Sequence, residues 1–136
     1  MIRNIIAVVV GVIVGMVFNM AVVILNTAVL FPVPEGFNWN DPDAVGAYFT
    51  DLPLTAFLVV LVAHLGQAFF GGLVAALISR NAAMTVAMII GVLSMLAGIA
   101  NMMMVPNPAW MWIEVPLYLV AAWFAGRIVL AVKSTA

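Results

Sequence analysis

Four apolar runs, each long enough to cross a bilayer, constrain this chain more than any other feature of it. They cover about residues 5–31, 53–78, 82–104 and 109–132. Crossing the ~30 Å hydrocarbon layer takes about 20 predominantly apolar residues in a helix. The runs show no period-two alternation, and four strands cannot close a barrel, so helices are the spanning form the sequence permits. Composition agrees. The chain is 68% hydrophobic and 7% charged, against roughly 25% charged in soluble domains. Too few charges remain to solvate a compact particle, so lipid must cover much of its surface.

The breaks between runs set the topology. Pro32-Val33-Pro34 ends the first run, Ser79-Arg80-Asn81 separates the second from the third, and Pro106-Asn107-Pro108 separates the third from the fourth. Pro53 suits a first-turn position of the second run. Links as short as the last two require antiparallel neighbours. The run beginning at Ile5 is far longer than the roughly 7–15 apolar residues of a signal peptide, so it is expected to remain as a helix.

The one long connection, residues 32–52, holds Glu35, Asp41, Asp43 and Asp51, no basic residue, and the aromatics Phe37, Trp39, Tyr48 and Phe49. Asn40-Asp41-Pro42-Asp43 reads as a helix start, with Asn40 or Asp41 as the cap and Pro42 in the first turn. The residues after it, Ala44 to Thr50, predict a short helix at the membrane interface, where Trp and Tyr are favoured. Arg3, Arg80, Arg127 and Lys133 all fall toward the other side. The positive-inside rule therefore places both termini and the Arg80 turn in the cytoplasm. A cell membrane, with a bacterial inner membrane as the expected address, is the location this implies.

The two halves also match faintly. Asn26, Pro32-Val33-Pro34 and Trp39 are echoed by Asn101, Pro106-Asn107-Pro108 and Trp110, and Ala68 to Gly72 by Ala122 to Gly126. The match raises two tandem helical hairpins related by an axis along the membrane normal.

Several functions are excluded by what is missing. Four basic residues against five acidic ones leave no cationic surface for nucleic acid. The absence of cysteine removes disulfides, thiol redox chemistry and thiolate metal sites. One histidine cannot build a zinc site that wants three or four protein ligands. No Gly-rich phosphate loop or Gly-x-Ser-x-Gly elbow is present. A catalytic triad would have to come from Ser94, His64 and Glu114, and a serine on a packing stripe is a structural residue first. The sequence therefore predicts neither an enzyme nor a cofactor.

Polar side chains within spans face the bundle interior, and each run carries one small-and-polar stripe at spacings of three and four. The stripes are Gly11, Gly15, Asn19, Val22 and Asn26; His64, Gln67, Gly71 and Ala75; Ala87, Gly91, Ser94, Gly98 and Asn101; and Glu114, Tyr118, Ala121 and Ala125. The glycines serve close helix packing, and Asn19, Gln67 and Ser94 read first as interhelical hydrogen-bond glue. At 1.5 Å per residue, Asn19, His64, Ser94 and Tyr118 fall within roughly 5 Å of the midplane, and Asn26, Asn101 and Glu114 roughly 9–14 Å toward the outer side. The predicted interior is thus a polar funnel opening away from the cytoplasm, with Glu114 near the outer interface. His64 is either a protonatable ligand contact or a neutral residue bonded to Asn19 or Tyr118.

The expected protein is a four-transmembrane-helix antiparallel bundle, N-in and C-in. Its function is binding, with transport as an extension, of a small amphipathic or lipid-like molecule by Asn19, Asn26, His64, Gln67, Asn101, Glu114 and Tyr118. A structural subunit of a membrane complex and a proton-coupled exporter are the alternatives. The expected partners are the bilayer, such a ligand, and a second copy or a complex subunit.

Overall fold

The computed structural model describes residues 1–135, which are almost entirely helical and contain no strand. Helix α1 runs Ile2–Leu25 and passes into a π-helical turn, Asn26–Leu30; α2 is Pro42–Asp51; α3 is Leu54–Ile78; α4 is Ala83–Met104; a 3-10 turn, Ala109–Ile113, leads into α5, Glu114–Ser134. Four segments, Ile2–Leu30, Leu54–Ile78, Ala83–Met104 and Ala109–Ser134, are long and apolar enough to cross a membrane. Their ends sit where prolines and turn residues interrupt the apolar runs. Asp41 rather than Asn40 caps α2: its carboxylate accepts from the Asp43 and Ala44 amides at 3.0 and 3.3 Å, and Pro42 takes the first position, where no amide is needed.

Helix α3 is the centre of the bundle because it has small residues on two faces. Toward α1, a Cβ on Gly71 would lie 2.7 Å from the Gly11 carbonyl oxygen, and one on Gly11 would lie 2.6 Å from that of Gly71. Gly15 meets the Gln67 carbonyl in the same way, at 2.6 Å. The two backbones touch, which only glycine allows. Toward α5, Gly72 lies against Ala122 and Ala125, and Ala76 joins Ala83, Ala87 and Val129 in a buried cluster. Helices α4 and α5 close on each other through Gly91, where an added Cβ would sit 2.6 Å from that of Ala122. So α3, α4 and α5 form a packed trio, and α1 lies on α3 with only slight contact to α4. No α1–α5 contact matches that between α3 and α4. The two hairpins are not packed as a symmetric pair.

The basic residues do structural work at one end. The last carbonyls of α3 have no intrahelical partner. Lys133 donates to the carbonyls of Ala76, at 2.9 Å, and of Ser79, and Arg3 donates to that of Ile78. The Ser79 hydroxyl donates to the Asn4 side chain at 2.9 Å and accepts from the Ala82 amide at 3.1 Å. The N-terminus, the α3–α4 turn and the C-terminus are thereby tied together. At the opposite end, Phe49 and Leu52 pack on Phe57, Met102 and Met111, seating α2 on the bundle. Tyr48 donates to the Phe31 carbonyl at 3.3 Å, and burial pushes its phenol above the ordinary range.

Gly71→Val should force α1 away from α3 and cost on the order of 1–3 kcal/mol through overpacking, read as a lower unfolding midpoint in mixed micelles. Gly46→Ala, on α2 with open space around it, should be neutral or stabilise by up to about 1 kcal/mol.

Candidate functional site

Because α1 and α4 both lean on α3 without closing on each other, a cleft of about 430 Å³ remains between them. Asn19 from α1, His64 and Gln67 from α3, Ser94 and Asn101 from α4, and Tyr118 from α5 give it polar groups. Val12, Met16, Met20, Ile90, Leu93 and Ala97 give it apolar walls. Met16, Met20, Leu93, Ala97 and Asn101 are exposed, so the rim lies on the flank of the bundle.

The cleft differs from the expected funnel in two respects. The cleft is not confined to the acidic-loop half: it runs from Gly11 and Ile90, toward the basic end, up to Asn101. It also leaves out Asn26 and Glu114. Asn26 is buried in the π-helical turn, where its side-chain amide donates to the Ala56 carbonyl at 3.3 Å and its Oδ1 has no partner. That turn, in which Phe31 donates to the Asn26 carbonyl at 2.8 Å, ends α1 beside the start of α3.

Glu114 is not wetted at an interface; it is completely buried, 0% exposed. Its Oε2 lies 3.0 Å from His64 Nδ1, and its Oε1 accepts from the Tyr118 hydroxyl at 3.1 Å. Depth counted along each helix separately does not show which side chains of α3 and α5 reach each other, and here those of His64 and Glu114 do. The 3-10 turn before Glu114 brings the start of α5 in under Met102 and Phe57, with Met111 fully buried there.

Gly98 makes this arrangement possible. A Cβ there would collide with the Tyr118 ring and hydroxyl, so its absence lets the phenol lie across α4 and reach Glu114. The Tyr118 ring also stacks beside His64, with centroids 6.4 Å apart and planes 28° apart. His64 lines the cleft and turns Nδ1 toward Glu114, which lies outside the lining, and its Nε2 makes no hydrogen bond among the described residues. A neutral imidazole that donates from Nδ1 to Glu114 presents an acceptor lone pair at Nε2.

The remaining polar residues divide between glue and cleft. Gln67 Nε2 donates to the Ser94 hydroxyl over 3.5 Å, a weak bond. Ser94 is paired with Gln67 rather than with His64, so the nucleophile–base contact of a triad is not made. Asn19 Oδ1 is buried without a partner. His64 and Glu114 are two potential metal donors engaged with each other, and among the described residues no third His, Asp or Glu joins them. Sequence reasoning placed Asn19, His64, Gln67, Asn101 and Tyr118 on interior stripes, and these five do meet around the cleft. It passed over Met16, Met20, Leu93 and Ala97, which carry no signal separating them from lipid-facing residues.

Comparison with protein-family models, curated proteins and solved structures returns no match. The function must be argued from the site itself.

Gly98→Ala should displace the Tyr118 ring and destabilise the protein by about 1–3 kcal/mol. Tyr118→Phe, which leaves Glu114 Oε1 unpaired in the core, should cost a similar ~1–3 kcal/mol. Unfolding in detergent followed by circular dichroism measures both.

Proposed function

We propose that this chain is a multi-pass membrane protein that binds a small amphipathic molecule in the cleft between α1 and α4. In this reading both termini and the α3–α4 turn face the cytoplasm, where Arg3, Arg80 and Lys133 satisfy the positive-inside rule. Helix α2 lies at the opposite interface with its aromatics. The ligand enters sideways from the bilayer. Its apolar body replaces lipid along Val12, Met16, Met20 and Leu93, and its polar end reaches the floor formed by Asn19, His64, Gln67 and Tyr118.

The observation that carries this reading is a polar floor at the bottom of an open apolar flank. A bundle that needed its polar residues only as glue would pair them with each other, because an unpaired polar group facing hydrocarbon costs several kcal/mol. Here His64 lines the cleft with only its Nδ1 engaged, and Gln67 and Ser94 share no more than a weak 3.5 Å bond. A cavity of this size suits the smaller end of ligand pockets, which run ~300–1,000 Å³. Nothing in the site prepares a nucleophile, and the proposed activity is binding rather than catalysis.

Ala97→Trp tests it. Ala97 is exposed on the cleft rim, so an indole there can fill the cleft without entering the packed trio. Protein purified in mild detergent should carry a lipid-like molecule, detected by extraction and mass spectrometry, and A97W should lose most of it. Equal lipid content in both proteins, each folded, would overturn the proposal.

A further inference from the structure

We infer that the protein has a second binding site, at the end of the bundle that carries α2, and that it takes an uncharged head group rich in hydroxyls, such as a sugar ring. This site is separate from the α1–α4 cleft, because the two share no lining residue. The inference does not depend on the function proposed for the cleft.

It begins where α4 stops. The carbonyls of Met102, Met103 and Met104 would take their next donors from the amides of residues 106, 107 and 108. Pro106 and Pro108 have no N–H. Asn107 turns both its backbone and its side-chain amide to the Val105 carbonyl, at 2.8 and 3.3 Å. The Val105 amide donates to the Asn101 carbonyl at 2.9 Å. Among the described residues, no group donates to the carbonyls of the three methionines.

Those methionines line a cavity of about 620 Å³, within the ~300–1,000 Å³ range of small-molecule sites. Its other side is the first half of α2, with Pro42, Val45 and Gly46, and the residues just before it, Trp39 and Asn40. Helix α2 is seated on the bundle through Phe49 and Leu52, at its far end. Its first half therefore overhangs the end of α4 without closing on it. A Cβ on Gly46 would meet nothing within 4 Å.

The lining selects the ligand. It is rich in acceptors: the three carbonyls and the side-chain oxygen of Asn107, whose nitrogen is already committed. A head group with several O–H donors suits it, and each hydroxyl also accepts, from the Asn40 amide or the Trp39 indole. Trp39 is 55% exposed and braced by Phe37 and Tyr48, at centroid distances of 4.8 and 6.1 Å. Its electron-rich face suits the C–H groups of a sugar ring. Charged head groups find no counter-ion. Arg3, Arg80, Arg127 and Lys133 all lie toward the other end of the bundle. No Asp or Glu lines the cavity, and Asp41, beside Asn40, is occupied in capping α2.

The test uses the full chain in zwitterionic nanodiscs, with octyl glucoside, octanol, octylammonium and octyl sulfate as probes of one chain length, measured by equilibrium dialysis against empty discs. Octyl glucoside should bind about fivefold or more tighter than any other probe. Gly46→Trp, which puts an indole into the cavity, and Trp39→Leu, which removes the ring, should each abolish that preference with helical circular dichroism unchanged. Ala97→Trp, which fills the cleft instead, should leave it intact. Displacement by methyl glucoside would support the site with free sugar as a sufficient ligand. A preference that methyl glucoside does not disturb would support it with a lipid-borne head group.

Octyl glucoside bound no tighter than octanol would overturn the site. Tighter binding of octylammonium or octyl sulfate would overturn the uncharged head group. A preference that survives Gly46→Trp and Trp39→Leu but falls with Ala97→Trp would place the sugar in the cleft, overturning this assignment while upholding the binding function proposed above.

Discussion

A carboxylate with no access to water organises the middle of this protein. Glu114 is held by His64 on one side and Tyr118 on the other, and each of those contacts dictates something further out. The bond to His64 ties α3 to α5 and holds the imidazole in the cleft wall. The bond to Tyr118 requires the phenol to cross α4, which only a glycine at position 98 permits. Removing one partner of a buried pair leaves an uncompensated polar group, so the three residues stand or fall together.

Around that centre the packing is a matter of small residues. The trio α3, α4 and α5 closes through alanines and glycines, and α1 attaches to α3 by direct backbone contact at Gly11, Gly15 and Gly71. Without a hydrophobic drive between helices in lipid, close approach supplies the attraction. Because Gly11 and Gly15 close α1 onto α3, α1 meets α4 only toward the basic end, where Val8 and Val12 pack on Val86 and Ile90. The cleft is the consequence: a gap between two helices that share a neighbour, floored by the residues of that neighbour.

Much of this was legible in the sequence. Proline pairs and a short polar turn bounded the spans, Asp41 and Pro42 marked the start of α2, and stripes at spacings of three and four gave the inner faces. Asn19, His64, Gln67 and Tyr118 were on those faces because polar residues in an apolar run have little choice of direction. What could not be read was relative placement. A residue's depth counted along its own helix says nothing of the offset between helices, which is why Glu114 was expected at an interface and Asn26 in a site. Nor could the stripes reveal that α1 and α4 stand apart, since neighbours are chosen by the fit of particular glycines. Lys133 and Arg3 signalled orientation in the sequence, but their grip on the final carbonyls of α3 depended on where three chain segments meet.

The cleft floor depends on the coupling between His64 and Glu114, and a double-mutant cycle measures it directly. With His64→Leu, Glu114→Leu and the double variant unfolded in bicelles, each single substitution should cost about 3–5 kcal/mol, as breaking a buried pair does, and the double variant should be no less stable than the worse single one. Strictly additive losses would mean that the two side chains do not meet, and the assignment of the cleft floor would fall with them.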